Sequence, residues 1–129
     1  MNKKGFTLIE LLAVIVILAI IALIVTPVVS NIISSAKKAA NARSVEGHVK
    51  NIEYAIIQKA FEEGTGDLGI YDVTDGAVSA SVRVPDGDKI TCQEYTISNG
   101  TVTKASGCTA EGWGANFNYA EGTGASAAN

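Results

Sequence analysis

Histidine, cysteine and aromatic residues are scarce in this chain. Its 129 residues include one His, two Cys, two Pro and one Trp. An ordinary zinc site takes about four N or S ligands, so that inventory leaves no set for one. Aromatics make up 6% and charged residues 18% of the chain. The first figure is too low for a large core, while 47% apolar residues is too high for a disordered chain. At about 150 residues per domain, the length allows one small domain. Ten Lys and Arg against thirteen Asp and Glu give a net charge of −3, and nothing in that balance marks a nucleic-acid binder. What the chain does have in excess is apolar sequence, concentrated before residue 34.

From Leu11 to Val25, fifteen consecutive residues are Leu, Ala, Val or Ile. Phe6 to Val29 gives 24 residues broken only by Thr7, Glu10, Thr26 and Pro27. As a helix this is about 36 Å long, enough to cross a hydrocarbon layer of about 30 Å. Lys3 and Lys4 precede it and stay cytoplasmic by the positive-inside rule. A cleaved secretory signal has a shorter apolar region, about 7–15 residues, and a small-residue cleavage site that Ala19-Ile20-Ile21-Ala22 matches poorly. Glu10 stands out, because a carboxylate inside a membrane helix costs about 2.5–3.5 kcal/mol on insertion scales. One reading lets it snorkel to the nearby interface. The other gives it a cationic partner: a cut after Gly5 would create an α-amino group at Phe6, four residues away, able to neutralise Glu10 of an adjacent copy.

The stretch Lys4-Gly5-Phe6-Thr7-Leu8-Ile9-Glu10-Leu11-Leu12 resembles the leader and start of type IV pilins and the related pseudopilins. The resemblance covers residues 1 to about 30 and implies a helix continuing to about 60. It implies that prepilin peptidase cuts after Gly5 and methylates Phe6 as the new N-terminus. It makes Glu10 the residue that docks a subunit into the growing filament, and it matches Pro27 to the proline that kinks the helix. Proline removes one backbone donor and disfavours helical geometry at Thr26, so a bend or local loosening is expected over residues 22–27. The partners implied are identical subunits in a helical filament, the peptidase, the assembly platform with its ATPases, and the membrane before assembly.

Beyond Ser30 the helical period persists. Val45, Val49, Ile52 and Ile56 form a one-sided stripe suited to packing on a sheet. Glu62-Glu63-Gly64-Thr65-Gly66 ends it. The chain therefore divides into a leader (1–5), an apolar helix (6–29), an amphipathic half of the same helix (30–62) and a head (63–129). In the head, residues 64–76 read as a connecting loop anchored by Leu68, Ile70, Tyr71 and Val73. The alternation of Val78, Ala80, Val82 and Val84 with Ser79, Ser81 and Arg83 predicts a half-buried strand. Pro85-Asp86-Gly87-Asp88 is a turn. Lys89–Ser98 and Thr101–Ala105 read as strands joined by a tight turn at Asn99-Gly100, which also accounts for the formal glycosylation triplet Asn99-Gly100-Thr101. Residues 109–129, with Trp113, Phe117 and Tyr119, close the head, and Gly122 to Asn129 reads as a loose tail. The fold class is α+β: a long N-terminal helix packed on a small antiparallel sheet.

Cys92 and Cys108 flank the hairpin. A two-residue turn at Asn99-Gly100 leaves them on opposite faces. A three-residue loop from Ser98 to Gly100, or a bulge near Gly107, brings them together for a disulfide. Two free buried thiols are the alternative. Their spacing is unlike a C-x-x-C redox motif.

Charge is segregated. Residues 30–60 carry Lys37, Lys38, Arg43, Lys50 and Lys59 against Glu46 and Glu53, whereas residues 61–129 hold ten acids and three bases. Opposite signs suit head-to-stem contacts between stacked subunits, and the acidic head argues against direct nucleic-acid binding. Asp67, Asp72, Asp75, Asp86 and Asp88 are oxygen donors of the type calcium takes, but they sit in turns and follow no EF-hand spacing, so no metal or cofactor is expected. His48 reads as a surface residue. With no nucleophile–base pair, no enzyme is expected. The resemblance implies a major pilin of a type IV pilus, serving adhesion, twitching motility or biofilm formation. It would be held in the cytoplasmic membrane before assembly and exposed on the cell surface afterwards. A major pseudopilin of type II secretion, a competence pilin, and a solitary membrane-anchored binding domain remain open.

Overall fold

A computed structural model describes Gly5 and residues 7–128. One helix, α1, spans Leu8–Glu63 and is followed by a 3-10 turn, Leu68–Tyr71. Five strands come next: β1 (Val73–Gly76), β2 (Glu94–Ser98), β3 (Thr101–Cys108), β4 (Phe117–Ala120) and β5 (Gly124–Ala127). They form one antiparallel sheet in the order β1-β2-β3-β4-β5. The chain divides between Lys37 and Lys38 into two compact units, each described by itself below.

The first unit is helix without a core. Leu8 to Ile33 leave their large apolar side chains exposed. α1 runs unbroken through Pro27. Pro27 cannot donate to the carbonyl one turn back, and hydroxyls bond the backbone nearby. Thr26 Oγ1 donates to the Ala22 carbonyl at 2.6 Å, and Ser30 Oγ to the Thr26 carbonyl at 3.1 Å. The loosening expected over residues 22–27 does not interrupt the helix.

The second unit has the core. Val45, Val49, Ile52 and Ile56 are buried, as are Ala55 and, one turn further on, Ala60. They form one cluster with Tyr95 and Ile97 of β2, Val102, Ala105 and Cys108 of β3, and Phe117 of β4. Trp113 meets Phe117 edge-to-face at 5.4 Å between ring centroids, an arrangement that adds to simple burial.

Two backbone devices set the sheet's register. Asn99 and Gly100 both have positive φ, 50° and 82°, which makes the β2–β3 connection a two-residue type I′ turn. Glycine is required at 100 twice over, since a Cβ there would lie 2.7 Å from Leu68 Cδ1. The second device is a bulge. Ile97 pairs with Val102 but Thr96 pairs with Lys104, so Thr103 is an extra residue in β3.

Several expectations need correction. Residues 78–84 form no strand, although Val82 is buried and Val78 and Val84 half-buried. Their alternation reflects a cover laid on the core rather than a ladder. Local bonds take the backbone instead: Val82 N–H donates to the Ser79 carbonyl, and Ser81 N–H to Ser79 Oγ. The sheet edge is occupied by β1, from within the supposed connecting loop. Ile70, expected as an anchor there, is exposed. β2 starts at Glu94 rather than Lys89, preceded by an isolated Thr91–Thr109 bridge, and β3 runs on to Cys108. The expected loose tail contains β5, paired with β4 from Phe117↔Ala127 to Ala120↔Gly124.

Candidate functional site: the helix start and the head's polar contacts

The start of α1 is capped by its own sequence. Thr7 Oγ1 accepts the Glu10 N–H and Glu10 Oε2 accepts the Thr7 N–H, both at 3.2 Å. This is a reciprocal capping box, spelled Thr7-Leu8-Ile9-Glu10, and the T-x-x-E spacing announces it in the sequence. The bonds satisfy two orphan donors, and the carboxylate sits at the positive end of the helix dipole. Among the described residues, the partners of the Glu10 side chain and backbone N–H at this turn are the neutral groups of Thr7.

Gly5 is exposed, and a Cβ built there would meet nothing within 4 Å. Packing among the described residues does not demand glycine at this position. Phe6 lies outside the described residues. Behind them, α1 is long and apolar enough to cross a membrane, and none of its most apolar stretch is buried.

In the head, Cys92 and Cys108 are joined in a disulfide, and no free cysteine is present. The Thr103 bulge explains why. Past it the paired numbers shift by one, and Thr91 and Thr109 exchange both backbone bonds at 2.9 and 2.8 Å. Cys92 and Cys108 are then directly opposite at the next position, where side chains approach most closely. The turn has two residues, not three. A bulge near Gly107 does exist, but it faces β4, where Ala105 pairs with Tyr119 and Cys108 with Phe117. With the cysteines 16 positions apart in sequence, reduction or a Cys92→Ser, Cys108→Ser pair is expected to cost about 3 kcal/mol by chain entropy. Thermal unfolding of the full chain in detergent, with and without reductant, measures it.

His48 is buried, not a surface residue; only 3% of it is exposed. Its Nδ1 lies 2.7 Å from Asp88 Oδ2 and its Nε2 lies 2.7 Å from the Tyr95 hydroxyl. Asp88 Oδ2 also accepts from Asn51 Nδ2 at 2.9 Å, and Oδ1 accepts the Ile90 N–H at 3.0 Å. Burial alone would push the Asp88 carboxyl up, but the bonds from Asn51, His48 and Ile90 outweigh it and hold it below the usual carboxylate range. Burial pushes the Tyr95 phenol up. The partners lie 37 to 47 residues apart in the sequence, which is why local pattern does not reveal them. The network pins the irregular 77–90 segment to α1.

Other acids also serve as clasps. Glu53 Oε2 accepts the Val102 N–H at 3.0 Å and Glu46 Oε1 the Ala125 N–H at 3.3 Å, tying helix to sheet. Tyr71 donates to Glu63 at 2.6 Å; that bond lowers the Glu63 pKa and raises the phenol to about 12. Asp67 caps the 3-10 turn, Asp72 accepts the Asn99 N–H, and Asp75 accepts from Thr96. Among the described residues no group of three or more His, Cys, Asp or Glu is placed to hold a metal.

Comparison with known proteins adds one finding. A family model described as the prokaryotic N-terminal methylation motif matches residues 1–26. No curated protein and no solved structure matches the chain. The matched motif is the class III prepilin leader of type IV pilins, and it runs into a long uncovered apolar helix, a combination similar to that of type IV pilin-like and pseudopilin proteins.

Proposed function

We propose that the chain is the major pilin of a type IV pilus, a structural subunit rather than an enzyme. The observation that carries this reading is the apolar half of α1, uncovered along its whole length behind a methylation motif. A helix apolar on all sides is stable in lipid, and it can equally pack among identical copies. Prepilin peptidase would cut after Gly5 and methylate Phe6, leaving a cationic amine to pair with Glu10 of an adjacent copy. The membrane holds the subunit until the assembly platform and its ATPase extract it. The disulfide and the buried His48–Asp88 network suit a small head that works outside the cell, because they stabilise a thin core. The filament would then serve adhesion, twitching motility or biofilm formation.

The test is electron microscopy of sheared surface appendages, decorated with antibody raised to the head. Uniform label along thin filaments is expected. Label only at tips or at rare points would demote the chain to a minor subunit, and label confined to the envelope would indicate a pseudopilin or a solitary anchored domain.

A further inference from the structure

The large apolar side chains that stay exposed fall mainly into two groups on α1. One is the uncovered stretch from Leu8 to Ile33. The other is Tyr54, Ile57 and Phe61, exposed by 72%, 52% and 86%. At 3.6 residues per turn these three lie on the side of the helix opposite Val45, Val49, Ile52 and Ile56. The core of the head makes no use of them. Glu62 sits on their flank, exposed and in no ion pair among the described residues.

Upstream on the same helix, Val29, Ile33 and Lys37 follow one another at intervals of four and share a face. All three are exposed, and Lys37 is likewise in no ion pair among the described residues. Both stripes read apolar then charged from N- to C-terminus, one ending in a cation and the other in an anion.

We infer that the Tyr54–Ile57–Phe61 stripe of one copy receives the Val29–Ile33–Lys37 stripe of a second copy, with Lys37 of the second copy facing Glu62. The inference rests on the filament reading above and adds to it the two surfaces that meet. Copies leaving the same membrane run in the same direction, so the two stripes have matching order. Aligning Ile33 with Ile57 offsets the two copies by 24 residues of sequence. The stripes are different surfaces, so the contact is heterologous, and a heterologous contact that does not close propagates as a filament. A lipid surface would suit the three apolar side chains but not Glu62, which anionic headgroups repel.

Charge exchange in the full-length chain, expressed in its own cells, tests this. Lys37→Glu and Glu62→Lys should each lower the yield of sheared filaments at least about tenfold, and the double exchange should restore it to within about twofold. Ile33→Cys with Ile57→Cys, the native disulfide retained, should give a ladder of covalent multimers on mild oxidation of filaments, and neither single variant should give it. Single exchanges that assemble normally, or a double exchange no better than either single, would overturn the pairing. So would cysteine variants that assemble without a ladder. Loss of membrane partition in Phe61→Ser with normal filaments would assign the stripe to lipid and overturn it as well. If the unaltered chain forms no filaments, the functional reading itself falls and takes this one with it; filaments without pairing defeat only the pairing.

Discussion

Glu10→Val is expected to leave the chain in the membrane and to cut its entry into filaments by at least about a hundredfold. Breaking a buried charge pair by removing one partner costs about 3–5 kcal/mol, because the other charge stays behind unpaired. The structure supplies the control that isolates this effect. Glu10 also closes the capping box with Thr7, and valine destroys that box too. Glutamine at N3 still serves a capping box, so Glu10→Gln keeps the cap and removes only the charge. Filament yield from the three chains separates the roles: if Glu10→Gln assembles normally, the cap is the function of Glu10 and the pairing with the Phe6 amine is wrong. If Glu10→Gln fails as Glu10→Val does, the charge is what assembly reads.

The second large effect falls on the head. Asp88→Ala should destabilise it by about 3–5 kcal/mol, because three donors lose one shared acceptor. His48, Asn51 and the Ile90 N–H all bond that carboxylate, and the His48 ring is buried. This is at least as large as the expected cost of losing the disulfide, and thermal unfolding of the full chain in detergent compares the two. The same carboxylate sets an acid limit. Its pKa is lower folded than unfolded, so its contribution is complete above the unfolded value, about 3.9, and is lost as pH falls through the folded one. Protection from hydrogen exchange across residues 77–90, taken relative to the unfolded chain's rate at the same pH, should therefore fall at acid pH in the parent chain. In Asp88→Ala it should be low already at neutral pH. High, pH-independent protection in that variant would show that the segment is held by Val82 and its apolar neighbours instead.

Where the determining contacts are local, sequence is sufficient. The stripe Val45–Ile56 announces the buried face of α1 because helical period and burial are the same fact there. Asn99-Gly100 announces its turn because few dipeptides accept two positive φ values. The capping box is equally local; it goes unnoticed when Glu10 is weighed only as a charge in lipid. The misreadings come from cases in which burial and hydrogen bonding part company. Val78–Val84 alternates as a strand does, yet its inward side chains cover the core without a ladder. Gly124-Ala125-Ser126-Ala127 has weak strand propensity and still pairs, because β4 presents a template and Glu46 takes the outward Ala125 N–H. The disulfide register depends on one extra residue at Thr103, which no local signal marks. The His48 site depends on contacts 40 and 47 residues distant, beyond any window of pattern.

Intact mass and N-terminal fragmentation of the protein recovered from the cell surface test the central claim most directly. The account predicts a chain beginning at Phe6, lacking the first five residues and carrying one added methyl group on its α-nitrogen, with Cys92 and Cys108 still joined. A surface protein that retains Lys3 and Lys4, or one cleaved after an alanine of the apolar run, would contradict it.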